Sequence, residues 1–165
     1  MKKWAIVAGC AVAAAIAIWF TLFRPSEEDR VRKVLDRFAK AVAVKADDNI
    51  LARTGRLRSE LKETVTDDVY VDVSDLNIRV TSRGALVEDA TKAGLVFQSA
   101  DCSLTGMTIK IDDTATTAKV DALAVVTGER GGERRVDKRP VHFLLRKNDG
   151  EWRITTVDVA PARPD

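Results

Sequence analysis

FLLRKNDGEWRITTVDV, residues 143–159, is the stretch that decides the fold. Asp149-Gly150 is a two-residue hairpin signal, because both residues tolerate the positive φ that a tight type I′ turn needs. With that turn as the loop, Leu145 is expected opposite Ile154, Phe143 opposite Thr156 and Val141 opposite Asp158. Trp152 shares that apolar face, which should lie under helices. The other face pairs Arg146 with Arg153, Leu144 with Thr155 and His142 with Val157. It is mixed in character, as expected where two sheets pair across a dimer interface.

Upstream of the hairpin the chain keeps the two-residue period of strands. Segments at about 95–111, 115–127 and 133–147 are separated by Asp112-Asp113 and Gly131-Gly132. RGALVEDATK, from Arg83 to Lys92, reads as a short helix closed by Gly94. Before it, Val69, Val71 and Val73 alternate with Tyr70 and Asp72. After a turn at Ser74-Asp75, Leu76, Ile78 and Val80 alternate again.

Two amphipathic helices open the domain. Ser26 caps the first, Asp29 completes a capping box, and Glu27, Glu28 and Asp29 face the positive end of the helix dipole. Val31, Val34, Leu35, Phe38 and Val42 form its buried stripe. Asp47-Asp48-Asn49 ends this helix and caps the second, which should turn Ile50, Leu57, Leu61 and Val65 inward. Helices first and antiparallel strands last make an α+β domain, with helices on one side of a curved sheet.

Two helices, a strand, a short helix and a long meander closing on Phe143–Val159 resemble the nuclear transport factor 2-like superfamily over about residues 26–160. The resemblance implies a cone whose wide end often holds a pocket. Its members include ketosteroid isomerases, dehydratases and epoxide hydrolases, together with non-catalytic binders and assembly factors.

The N-terminus carries a separate message. Met-Lys-Lys is followed by WAIVAGCAVAAAIAIWFTLF, twenty uncharged residues from Trp4 to Phe23. As a helix this stretch is about 30 Å long, the thickness of a bilayer's hydrocarbon core. Trp4, Trp19, Phe20 and Phe23 lie near its two ends, where such rings prefer the interface. Residues 1–3 are thus read as an inside tail, 4–23 as a membrane anchor contacting lipid, and 24–165 as the domain. A signal peptidase cut after Ala15 or Ala17 would leave Trp19 and Phe20 near the new terminus. The lipobox-like Val7-Ala8-Gly9-Cys10 has only six apolar residues before its cysteine. An uncleaved anchor of a bacterial inner membrane, with the domain periplasmic, fits better. Ala5, Gly9, Ala13 and Ala17 recur every four residues, a spacing that lets two helices approach closely in lipid.

Composition narrows the chemistry. Lys2 and Lys3 belong to the tail, and without them the 27 basic residues become 25 against 25 acidic ones. A neutral domain of this kind lacks the basic excess of a nucleic-acid surface. Cys102 is the domain's sole thiol, flanked by Asp101 and Ser103, and reads as a packed small side chain. No metal-ligand spacing, glycine-rich phosphate loop or nucleophile elbow is present, so no cofactor is expected. His142 falls on the face away from the helices, and Tyr70 has no evident partner for proton transfer. Asp158 is the candidate ligand-binding residue. The expected register sets it beside Phe143 and Ile154, where burial would raise its pKa, unless the strand has already reached a wet rim.

Anchor and fold together resemble the bitopic inner-membrane scaffolds of type IV secretion systems and the anchored accessory proteins of mycobacterial lipid-import (Mce) systems. That resemblance implies an interaction module with protein partners, with self-association through the sheet face or the span. The alternative is a pocket domain that binds or converts a small apolar ligand, with Asp158 as its polar group. An adaptor facing the cytoplasm follows only if the basic residues after Phe23 set the topology.

Overall fold

The structure is a computed structural model that describes residues 25–46 and 48–162. The expected anchor, with Trp4, Trp19, Phe20 and Phe23, lies outside them. Among the described residues no helix is long and apolar enough to cross a membrane.

Helix α1 spans Glu27–Val42 behind a complete capping box: Asp29 N donates to Ser26 Oγ, and Ser26 N donates to Asp29 Oδ2. Its stripe of Val31, Leu35 and Ala39 is buried. Helix α2, Ile50–Thr64, is capped by Asn49, whose side chain accepts from Ala52 N. Strand β1, Val65–Val73, follows without a loop, and a 3₁₀ turn at Ser74–Leu76 leads to the short β2, Ile78–Val80. Helix α3, Arg83–Val96, starts at Ser82 and runs past Gly94, longer than the sequence pattern suggests. The meander is β3 (Ser99–Ile111), β4 (Thr117–Arg130), β5 (Glu133–Asn148) and β6 (Glu151–Val159).

These six strands form one sheet in the order β2-β1-β6-β5-β4-β3. It is mixed, because β1 pairs parallel to β6 while every other pair is antiparallel. The helices cover one face. Leu35, Leu57, Leu61, Val69, Val87, Phe143, Leu145, Trp152 and Ile154 make a continuous core there. Ile50, expected inward, is instead 55% exposed. The buried stripe of α2 is Arg53, Leu57, Leu61 and Thr64.

The last hairpin follows the expected register only as far as Leu145 opposite Ile154. Asp149 (φ 52°) and Gly150 (φ 81°) make the tight turn. A bulge then inserts one residue into β6 at Thr155, whose Oγ1 donates to Leu144 O at 3.0 Å. Beyond it Phe143 faces Val157, His142 faces Asp158 and Val141 faces Val159. One extra residue exchanges the two faces of a strand. Val157 therefore enters the core at 4% exposure, and Asp158 is turned to solvent. Without the bulge, an unpaired carboxylate would sit among valines and phenylalanine, a costly arrangement.

Candidate functional site

A pocket in such a cone would lie between the helices and the inner sheet face, and there the described residues form one cluster of buried side chains. Phe143 (4% exposed) meets Phe38 edge to face, with centroids 6.3 Å apart and planes at 80°. Leu35, Leu57, Leu61, Val69, Leu145 and Ile154 are fully buried around them. Among the described residues, the buried polar or charged side chains are Arg53 and Thr64. Thr64 Oγ1 donates back to Glu60 O at 2.8 Å.

Arg53 is a structural clasp. Nη1 donates to Ala43 O (2.7 Å), Nη2 to Val42 O (3.1 Å) and Ala90 O (2.8 Å), and Nε to Ala90 O (3.2 Å). One guanidinium thus satisfies the orphan carbonyls at the end of α1 and adds a bond to a carbonyl inside α3. Burial pulls its pKa down, Asp48 acts in the opposite direction, and an arginine stays charged regardless. Asp48 also takes a two-pronged bond from Arg56, at 2.8 and 2.5 Å. A side chain at Gly94 would place its Cβ 3.0 Å from Arg53 Cδ, so the glycine makes room for the clasp. Sequence reading missed Arg53 and gave Gly94 only the role of ending the helix. The signal was there: Arg53 stands four residues before Leu57 on the apolar stripe.

A second polar cluster pins the start of α1 to the last hairpin. Glu27 accepts from Lys147 Nζ (2.8 Å), Trp152 Nε1 (2.6 Å) and Arg30 Nη1 (3.1 Å), while Arg30 Nη2 donates to Gly150 O (2.9 Å). The hydrogen bonds from Lys147 and then Trp152 lower the Glu27 pKa to about 2. Trp152 also carries Lys147 over its ring at 5.6 Å.

The remaining candidates lie on the outer sheet face. Asp158 is exposed, facing His142 on one side and Asp72 on the other. His142 Nδ1 lies 2.5 Å from Asp121 Oδ1, with both side chains more than half exposed. In this row Asp158, His142 and Asp121 are exposed, while Asp72 is half-buried and accepts from Ser74 Oγ and Arg79 Nε. Tyr70 is half-buried on the same face, opposite Thr156. Cys102 faces inward, and its burial, aided by Asp101, pushes the thiol up to about 11, which removes the thiolate at neutral pH.

Hollows lie outside the core, one of them, of about 530 Å³, between Thr54 and Arg58 of α2 and Val87 and Thr91 of α3. A groove of about 990 Å³ runs along the solvent side of α1, with Arg32, Asp36 and Lys40 on one wall and Ser99–Asp101 and Thr127–Glu129 on the other. A smaller one of about 260 Å³ is lined by Ile50, Leu95, Val96 and Phe97 where α2 begins and α3 ends. Leu51 (84%), Leu95 (67%), Ile50 (55%), Val96 (46%) and Phe97 (37%) are exposed at this end of the molecule.

The profile of the SnoaL-like domain matches residues 28–158, which takes in every element from α1 to β6. The chain belongs to the SnoaL-like domain family. Solved structures agree with that fold. The Kfla4162 protein of Kribbella flavida superposes with a TM-score of 0.68 at 12% identity, over 81% of this chain and 89% of that one. A nuclear transport factor 2-like superfamily protein of Salmonella enterica serovar Typhimurium gives 0.66 at 12% identity, over 84% and 92%. A protein provisionally described as a scytalone dehydratase, from Novosphingobium aromaticivorans, gives 0.65 at 14% identity, over 83% and 85%. No curated protein matches the sequence. At such identities the likeness carries the cone and no particular chemistry.

Proposed function

We propose that this SnoaL-like domain is a membrane-tethered interaction module that binds a protein partner through the apolar end formed by the start of α2 and the end of α3. The observation that carries the reading is the exchange of roles between inside and outside. The interior is filled by its own side chains, while Leu51, Leu95, Val96 and Phe97 stand exposed together. Exposed apolar clusters mark contact surfaces, and a ligand site needs enclosed space with converging polar groups. Position supports it too. α1 is 16 residues long, so the apolar end lies about 24 Å from Pro25, where the expected anchor joins. A tether at one end leaves the other free to meet a partner away from the lipid.

Family membership and the groove of about 990 Å³ beside α1 favour a second reading, a small-molecule binder or an isomerase- or dehydratase-like enzyme. One experiment separates the two. A photo-crosslinking residue is placed at Leu95 of the full chain in intact membranes, with Glu63 as the control position. The interaction reading expects one discrete protein adduct from Leu95, lost on Leu51→Lys, and none from Glu63. Absence of any adduct at Leu95 contradicts it and returns attention to the groove.

A further inference from the structure

The two edges of the sheet are unequal. β2 at one edge has three residues, too short to template another strand, whereas β3 at the other has thirteen. Val44 bridges only its beginning: Val44 N donates to Ala100 O at 2.7 Å, and Ala100 N to Val44 O at 2.9 Å. From Asp101 to Lys110 the edge has no strand beside it among the described residues.

The geometry points to this edge pairing with the same edge of a second copy, antiparallel, about a two-fold axis between Thr105 and Gly106. Three independent features select that register. The first is backbone phase. Ala100 turns its N–H and C=O to the free edge, so Cys102 and Leu104 do the same by alternation. A bulge at Gly106 (φ 62°) shifts the phase by one, and Asp112 N donates inward to Thr117 O, so Met107 and Ile109 point outward after it. The proposed register sets Cys102 opposite Ile109 and Leu104 opposite Met107, both hydrogen-bonding pairs. A strand without the bulge would put inner-face residues opposite outer-face ones in this register.

The second feature is side-chain face. The same pairs are half-buried apolar residues of the inner face, so the two cores become continuous across the axis. The third is charge. On the outer face Asp101 falls opposite Lys110 of the second copy, twice by symmetry. Neither residue has an ion-pair partner among the described residues, and Lys110 stands opposite Lys119 on β4 within its own chain. Like charges directly opposite are unfavourable. An incoming Asp101 supplies the missing acid.

The test is a charge-swap cycle on the full chain in detergent micelles, read by sedimentation velocity. The wild type is expected to dimerise, and Asp101→Lys or Lys110→Asp alone to weaken the dimer roughly tenfold or more. The double variant restores it, and so does an equimolar mixture of the two single variants, because each then offers the charge the other lacks. Oxidation of a Ser103→Cys/Thr108→Cys chain, with Cys10 and Cys102 changed to Ser, should join two copies. A monomer at all concentrations overturns the proposal. So does a dimer, for instance one held by the N-terminal span, that is indifferent to the charges and yields no crosslink. Neither outcome bears on the adduct expected at Leu95.

Discussion

Arg53 shows how one residue can hold three helices. Arg53→Ala leaves the carbonyls of Val42 and Ala43 without their donor, unties α3 at Ala90 and opens a void. Urea unfolding should show a loss of about 2–4 kcal/mol. Gly94→Ala should cost about 1 kcal/mol, because the clasp is fixed at its far end and cannot yield to the new Cβ. In an Arg53→Ala background the same change should become neutral or favourable, since only the gain in helix propensity remains. Glu27 provides the pH counterpart. Its pKa is depressed in the folded state from 4.5 to about 2, so its contribution is complete above pH 4.5 and disappears as pH falls through 2. With the side chain 34% exposed, solvent screening holds that contribution to about 1 kcal/mol. Glu27→Gln should flatten the stability profile between pH 4.5 and 2, as followed by thermal melts.

Among the elements, β6 carries the most information in one residue. Deleting Thr155 leaves a regular strand in which Thr156 still faces Leu144 and Val157 still faces Phe143, so Val157 stays in the core and Asp158 in solvent. The shortened chain is expected to keep its cooperative transition in circular dichroism, at a cost of less than about 2 kcal/mol. This bulge also marks the limit of what the sequence discloses. Val31 and Leu35 of the α1 stripe, Leu57 and Leu61 of the α2 stripe, the capping box at Ser26, the Asp149-Gly150 turn and the pairing of Leu145 with Ile154 are written in local chemistry, and each is found in the structure; Ile50 is the exception. Nothing local announces that Thr155 is an extra residue. Two equivalent threonines hide it, and the only hint was the charge that a regular strand would have buried at Asp158. The parallel pairing of β1 with β6 was hidden for a similar reason, since the two strands lie far apart in the chain. Arg53 escaped because helical periodicity assigns a buried stripe to apolar residues, and a fully satisfied arginine breaks that rule without breaking the stripe.

At the scale of the whole molecule, the proposed tether would hold one end of the domain at the membrane and leave the exposed apolar end free for a partner. The full chain should sediment with membranes, and a chain beginning at Pro25 should remain in the supernatant. A reporter enzyme active only in the periplasm, fused after Asp165, should be active. Packing of the interior is the central claim, because a cone filled by its own side chains has no room for a substrate. The most direct measurement is a titration of the full chain with apolar aromatic probes, naphthalene and 1-anilinonaphthalene-8-sulfonate, repeated on Val141→Trp, which adds bulk to the inner face. The account predicts no saturable binding to the wild type, and a Val141→Trp protein destabilised by about 1–3 kcal/mol through overpacking. Saturable one-to-one binding that Val141→Trp abolishes without loss of stability would mean the cone is hollow and the domain handles a ligand.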